Sequence, residues 1–255
     1  MATRPNYRDE AFVIRSYKLG EADLILVLLT KDHGVVRAVA AGIRKTNSRF
    51  GAHLDRFSRV SVQIYPGRKD LGKITDATIV AYYASPIIAD VDSYYAASAV
   101  LELALALSHE PDVAAQLFPL VDDVLGILAG SNTQAATPDL PAMSQTDRFL
   151  LSALGVAGWA PSLVSCAQCG RTGPHVAFNA AAGGAVCVHC RPPRSLTPPP
   201  QAVRFLWLLQ HNRLDTAAGI LEQDGSTALA RIAHDLLLAH ARHQLEVGLP
   251  AYSAL

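Results

Sequence analysis

All four cysteines of this 255-residue chain fall in one segment, as Cys166-x2-Cys169 and Cys187-x2-Cys190 with 17 residues between the pairs. Two such knuckles supply four thiolates that can close a tetrahedron on one Zn2+. Four protein ligands leave no coordination position for water or substrate, so the zinc expected here is structural, one ion per chain. A module this short folds only with its metal, which makes zinc binding part of the folding free energy. Two disulfides or packed free thiols are the competing readings, and paired knuckles in a reducing compartment argue against both. His175 and His189 are alternative ligands, but no sulfur is missing.

A second group of residues suits polyanion binding. Between Gly34 and Lys73 there are nine Lys or Arg and two acids. Arg37, Arg44, Lys45, Arg49, Arg56, Arg59, Arg68 and Lys69 are the candidate phosphate contacts, and Phe50, Phe57 and Tyr65 are candidates for stacking on bases. Cations spaced along short strands and a loop, with ring faces among them, match a phosphate backbone with unstacked bases. Filling the core is an equally good use for the three aromatics, above all Phe57, which begins a strand.

These residues must be held by a framework, and the apolar pattern predicts one. Strands are expected at 10–17, 23–31, 34–42, 57–65 and 74–84. In FSRVSVQIY, Val60, Val62 and Ile64 alternate with Arg59, Ser61, Gln63 and Tyr65, so one face is buried and the other wet. Five strands with a long loop at 43–56 predict a small closed barrel of the OB type, with an open SH3-type barrel as the nearest competitor. The barrel would put Arg59, Gln63 and Tyr65 on one solvent-facing stripe, with the loop's cations beside it. After Pro86 the pattern turns helical: 92–110 with Asp92 as N-cap, 112–130 with Pro119 as a kink or break and Gly130 as cap, and 144–159 with Ser144 as cap. Helices resume at 200–212, 215–223 and 226–247, the last with His240 at the edge of the core. The expected class is α+β: an OB-type nucleic-acid-binding domain at 1–84, a helical domain at 85–160 and 194–255, and the zinc module at 161–193.

Net charge is zero, but residues 1–80 carry +6 and residues 81–255 carry −6, as expected of a front end built for an anionic partner. No apolar run is long enough to span a membrane and the start has no signal-like segment, so a cytoplasmic location is expected. No phosphate-cradling Gly-Lys-Ser/Thr loop or G-x-S-x-G elbow occurs, and Asp122 and Asp123 diverge on a helix. The chain is not expected to be an enzyme.

Gly20-Glu21-Ala22-Asp23, Leu28-Leu29-Thr30, Gly34, Ala41-Gly42, Ser48, Leu54 and Phe57 resemble the N-terminal domain of the RecO family of bacterial recombination mediators. Tyr94-Tyr95, Phe149-Leu150-Leu151, Leu154-Gly155, Trp159, Pro161, the two cysteine pairs and Gly183-Gly184 follow the same family's order. The resemblance implies an OB barrel and a helical domain that carries the zinc module. It implies binding of single- and double-stranded DNA and annealing of complementary strands. With RecR, it also implies assistance to RecA loading on DNA coated by single-strand-binding protein (SSB), in the cytoplasm at the nucleoid. An SSB contact in the helical domain would fall to Arg148 or Arg204, because 112–130 holds three acids and no Lys or Arg. A zinc-ribbon adaptor acting by protein–protein contact alone is the alternative.

Overall fold

The computed structural model describes residues 5–48, 50–67, 70–131, 140–222 and 226–255. Arg49, Arg68 and Lys69 of the expected phosphate contacts lie outside the described residues. The chain divides into two compact units, residues 1–97 with 104–132 and residues 98–103 with 133–255.

The first unit is built on a closed five-stranded barrel. Its strands are β1 (Tyr7–Leu19), β2 (Asp23–Thr30), β3 (Gly34–Ala40), β4 (Ser58–Tyr65) and β5 (Leu71–Tyr82). They close in the order β1-β2-β3-β5-β4, with β1 also pairing β4 and with β3 parallel to β5. That closure is the OB arrangement, and it settles the choice against the open SH3-type barrel. The expected alternation in β4 holds, with Val60, Val62 and Ile64 in the core and Tyr65 exposed. Ala11, Val13, Leu26, Leu28, Ala38, Ala40, Ile74 and Ala77 supply the rest of the barrel interior, together with Phe50 and Leu54.

Helices α1 (Ala84–Ala89), α2 (Val91–Leu107) and α3 (Pro111–Leu128) follow. The cap of α2 is Asp90 rather than Asp92: its carboxylate accepts from Ser93 N at 2.8 Å, which leaves Asp92 in the first turn. Pro119 does not end α3, because Ala115, four residues before it, and Pro119 itself lie on the exposed side, where water can meet the freed carbonyl. Gly130 (φ +65°) ends the helix as expected, with Gly130 N donating to Ile127 O and Ser131 N to Gly126 O. Phe118 reaches the barrel wall, its ring centroid 5.0 Å from that of Phe12.

In the second unit, α4 (Ala142–Val156), α5 (Pro200–Gln210), α6 (Leu214–Leu221), α7 (Ser226–Leu245) and α8 (Pro250–Ser253) enclose an apolar core. Ser144 does not cap α4. It sits buried within the first turn, and the cap position is Pro141. A fully buried polar knot, absent from the sequence expectations, joins three of these helices. Asp147 Oδ1 accepts from Tyr252 Oη at 2.5 Å and lies 2.9 Å from His234 Nδ1. Between α4 and α5 the short strands β6 (Ala177–Asn179) and β7 (Gly184–Val186) form a two-stranded ribbon. Among the described residues no helix is long and apolar enough to cross a membrane.

Candidate functional site

The ribbon carries the cysteines. Their four sulfurs lie within 4.8 Å of one another, and Cys169 Sγ to Cys187 Sγ is 3.9 Å. A tetrahedron of sulfurs about 2.3 Å from a central zinc has edges of roughly 3.8 Å, so the constellation fits a thiolate-held metal ion. Each knuckle turns as a metal-binding loop must. Gly170 N donates to Cys166 O and Cys190 N to Cys187 O. Backbone N–H groups of Cys187 and Cys169 bring the Cys166 thiol down to about 6, the first of them at 3.4 Å from its sulfur. Hydrogen bonds shared with the Cys187 and Cys169 sulfurs push Cys190 up to about 12. A metal ion bound by all four sulfurs would take the place of their protons.

Gly184 (φ +131°) lets the ribbon close on the segment before it. Ala185 N donates to Ser162 O at 2.7 Å, and a Cβ on Gly184 would stand 2.3 Å from that same oxygen. Only glycine fits.

The expected phosphate contacts do not form one uniform stripe. Arg59 emerges on the outer face of β4 as the alternation requires, but its Nε donates to Glu10 Oε2 at 2.7 Å and its Nη1 to Asp122 Oδ2 at 2.5 Å. Asp122 also accepts from Tyr83 Oη at 2.9 Å. Arg59 is thus engaged within its own unit, a partner choice that alternation cannot reveal. Arg56 is half-buried, its guanidinium 4.9 Å from the centroid of the Phe57 ring. Phe50 and Phe57 are corrected as stacking candidates, since both are buried in the core and offer no face to a base.

Arg37, Arg44, Lys45 and Tyr65 are exposed. Register gathers two of them with a residue outside the expected set. Lys73 on β5 pairs with Val39 on β3 and with Tyr65 on β4, and Arg37 lies two residues before Val39. Arg37, Lys73 and Tyr65 therefore occupy neighbouring positions on one outer sheet face. Beyond the end of β3 come Arg44 and Lys45, with Arg44 N bonded to Ala22 O and its Nη1 donating to Glu21 O at 2.9 Å. Lys73 was missed because its neighbours are set by strand pairing rather than by proximity in sequence.

Beside Arg37 opens a cavity of about 650 Å³, lined also by Tyr7, His33, Val35, Ile64 and Pro66. The Tyr7 and His33 rings stack at 4.0 Å, and the buried Asp9 carboxylate lies 2.6 Å from His33 Nδ1. In the second unit Arg204 is exposed on α5, and Arg148 on α4 donates to Asn212.

Comparison with protein families matches residues 1–83 to the family described as "Recombination protein O N terminal" and residues 88–252 to "Recombination protein O C terminal".

Proposed function

This chain belongs to the Recombination protein O (RecO) family, and from that premise we propose that it acts in recombination repair as a DNA-binding mediator. On this reading the barrel domain at 1–84 holds single- and double-stranded DNA and brings complementary strands together. The observation that carries it is the Arg37–Lys73–Tyr65 face with Arg44 and Lys45 beyond the strand end. Cations there neutralise phosphates and release counterions, and the exposed Tyr65 ring offers a stacking surface. Two strands that repel each other can approach once a basic face has neutralised both. Arg49, Arg68 and Lys69 belong to the same proposed contact set. Arg59 joins it only by exchanging two carboxylates for a phosphate.

Zinc is the ion we assign to Cys166, Cys169, Cys187 and Cys190. All-thiolate coordination at this spacing suits it, and four protein ligands make its role structural. The ion organises the ribbon and takes part in no chemical step. The partners proposed are DNA, RecR and SSB, with RecA reached indirectly, in the cytoplasm at the nucleoid.

Strand annealing on SSB-coated DNA tests the reading, run with wild type, with an Arg37→Ala/Lys73→Ala variant and with an Arg44→Ala/Lys45→Ala variant. Both variants should anneal more slowly and bind DNA more weakly while keeping their full metal content. DNA affinity unchanged in both would instead favour an adaptor that works by protein contact alone.

A further inference from the structure

At the opposite end of β4 from Tyr65, the barrel unit carries a second cluster of cations and rings that the proposed contact face does not use. The Phe57 ring meets Tyr94 edge-on at 5.8 Å, and Tyr94 meets Tyr95 in the same manner at 5.8 Å. Phe57 is buried, but Tyr94 and Tyr95 are 39 % and 50 % exposed, and Tyr82 on the neighbouring strand end is 46 % exposed. The Arg56 guanidinium lies over the Phe57 face, with its Nε buried and without a hydrogen-bond partner. Burial foremost, and the charge of Arg15 nearby, hold Arg56 below its ordinary value, against an opposing pull from Tyr94.

Three features mark the cluster as more than packing. Phe57 is a bulky residue at φ +61°, a left-handed conformation that costs free energy and fixes the direction in which Arg56 and the ring project. A bulge between Val13 and Arg15 turns the exposed Arg15 outward from β1, as bulges beside binding sites often do. Finally, Glu10 and Asp122 are both engaged by Arg59, three residues along from Arg56. Among the described residues no carboxylate pairs with Arg15 or Arg56. Tyr94 takes one donor of the half-buried Arg56, but its Nε stays unserved and the charge of Arg15 adds to its own, so the pair favours an anion.

We propose that Arg15 and Arg56 clamp a phosphodiester of a single strand while Tyr94, Tyr95 and Tyr82 receive its neighbouring bases. The inference rests on the nucleic-acid reading above and extends it to a second anchor. Planar guanidinium forks match phosphate oxygens, and exposed tyrosine faces accept any base. Along β4 the two anchors are separated by eight residues of strand, roughly 23–27 Å, so one strand held at both must be several nucleotides long.

The test uses the full-length, metal-loaded protein and oligothymidylates of graded length, some carrying 5-iododeoxyuridine for photocrosslinking. Arg15→Glu and Tyr95→Ala change exposed side chains, and each should weaken binding of long oligomers about fivefold or more. Oligomers too short to span both anchors should lose less. Crosslinks should map to the peptide holding Tyr94 and Tyr95 as well as to that holding Tyr65. Wild-type affinity in both variants, with crosslinks confined to the Tyr65 peptide and Lys73→Ala still impaired, would overturn the second anchor and leave the first standing. Failure of the wild-type protein to bind the oligomers at all would remove both. If Arg15→Glu instead abolished binding of an acidic, aromatic peptide while DNA binding held, the surface would be a protein dock and this proposal wrong.

Discussion

Asp122 is a junction: one carboxylate takes the Arg59 guanidinium and the Tyr83 hydroxyl and so joins α3 to the barrel. Burial, together with the bond to Asp122, pushes the Tyr83 phenol up to about 12. Asp122→Asn should cost about 1–3 kcal/mol in urea unfolding, since it weakens two charge-assisted bonds and leaves a guanidinium half-served. The buried His240 presents a different case. Its Nε2 reaches Trp159 O at 2.8 Å while Nδ1 has no partner, and burial, chiefly, keeps the imidazole below its ordinary value. As pH falls below about 6.5 the unfolded chain takes up a proton that the folded site resists, so stability is lost in that window. Thermal unfolding across pH 7 to 5 should show His240→Gln losing less stability on acidification than wild type. Sequence placed His240 on the apolar side of α7 but passed over His234, because a helical stripe does not reveal that Asp147 and Tyr252 meet one histidine from two other helices.

At the level of elements, the cysteine ribbon is the part most dependent on a few atoms. Cys169→Ser should lower metal content to near zero and raise protease sensitivity of residues 161–193, measured by limited digestion and mass spectrometry. Gly184→Ala probes the same element without touching a ligand. Its methyl would collide with Ser162, so the ribbon should lose metal to a chelator faster than wild type does. Cysteine spacing was legible because two short knuckles encode their own turns. Strand positions were legible as well: the period of two in β4 survives into the burial pattern. Helix starts were read less well. Asp90, Asp92 and Ser144 all carry a suitable oxygen, and the choice among them depends on where the preceding chain enters. Lys73 escaped for a related reason, since its neighbours Val39 and Tyr65 come from two other strands.

For the molecule as a whole, the zero net charge hides a division between +6 in residues 1–80 and −6 in the remainder. If Arg37, Arg44, Lys45 and Lys73 each neutralise one phosphate of a single strand, log K against log[salt] should slope by roughly −3. Fluorescence anisotropy over a salt series checks this, and a slope near zero would mean that those four residues carry none of the affinity. Barrel closure has a further consequence, for biosynthesis. Tyr7–Phe12 of β1 pairs with Arg59–Ile64 of β4, so one edge of the first strand stays open until some 50 more residues have left the ribosome. At ordinary translation speeds that is roughly 3–10 s of exposed hydrogen-bonding edge. A nascent-chain arrest placed before Ile64 should therefore yield a sticky, chaperone-bound intermediate, and one placed well after Tyr82 a soluble barrel.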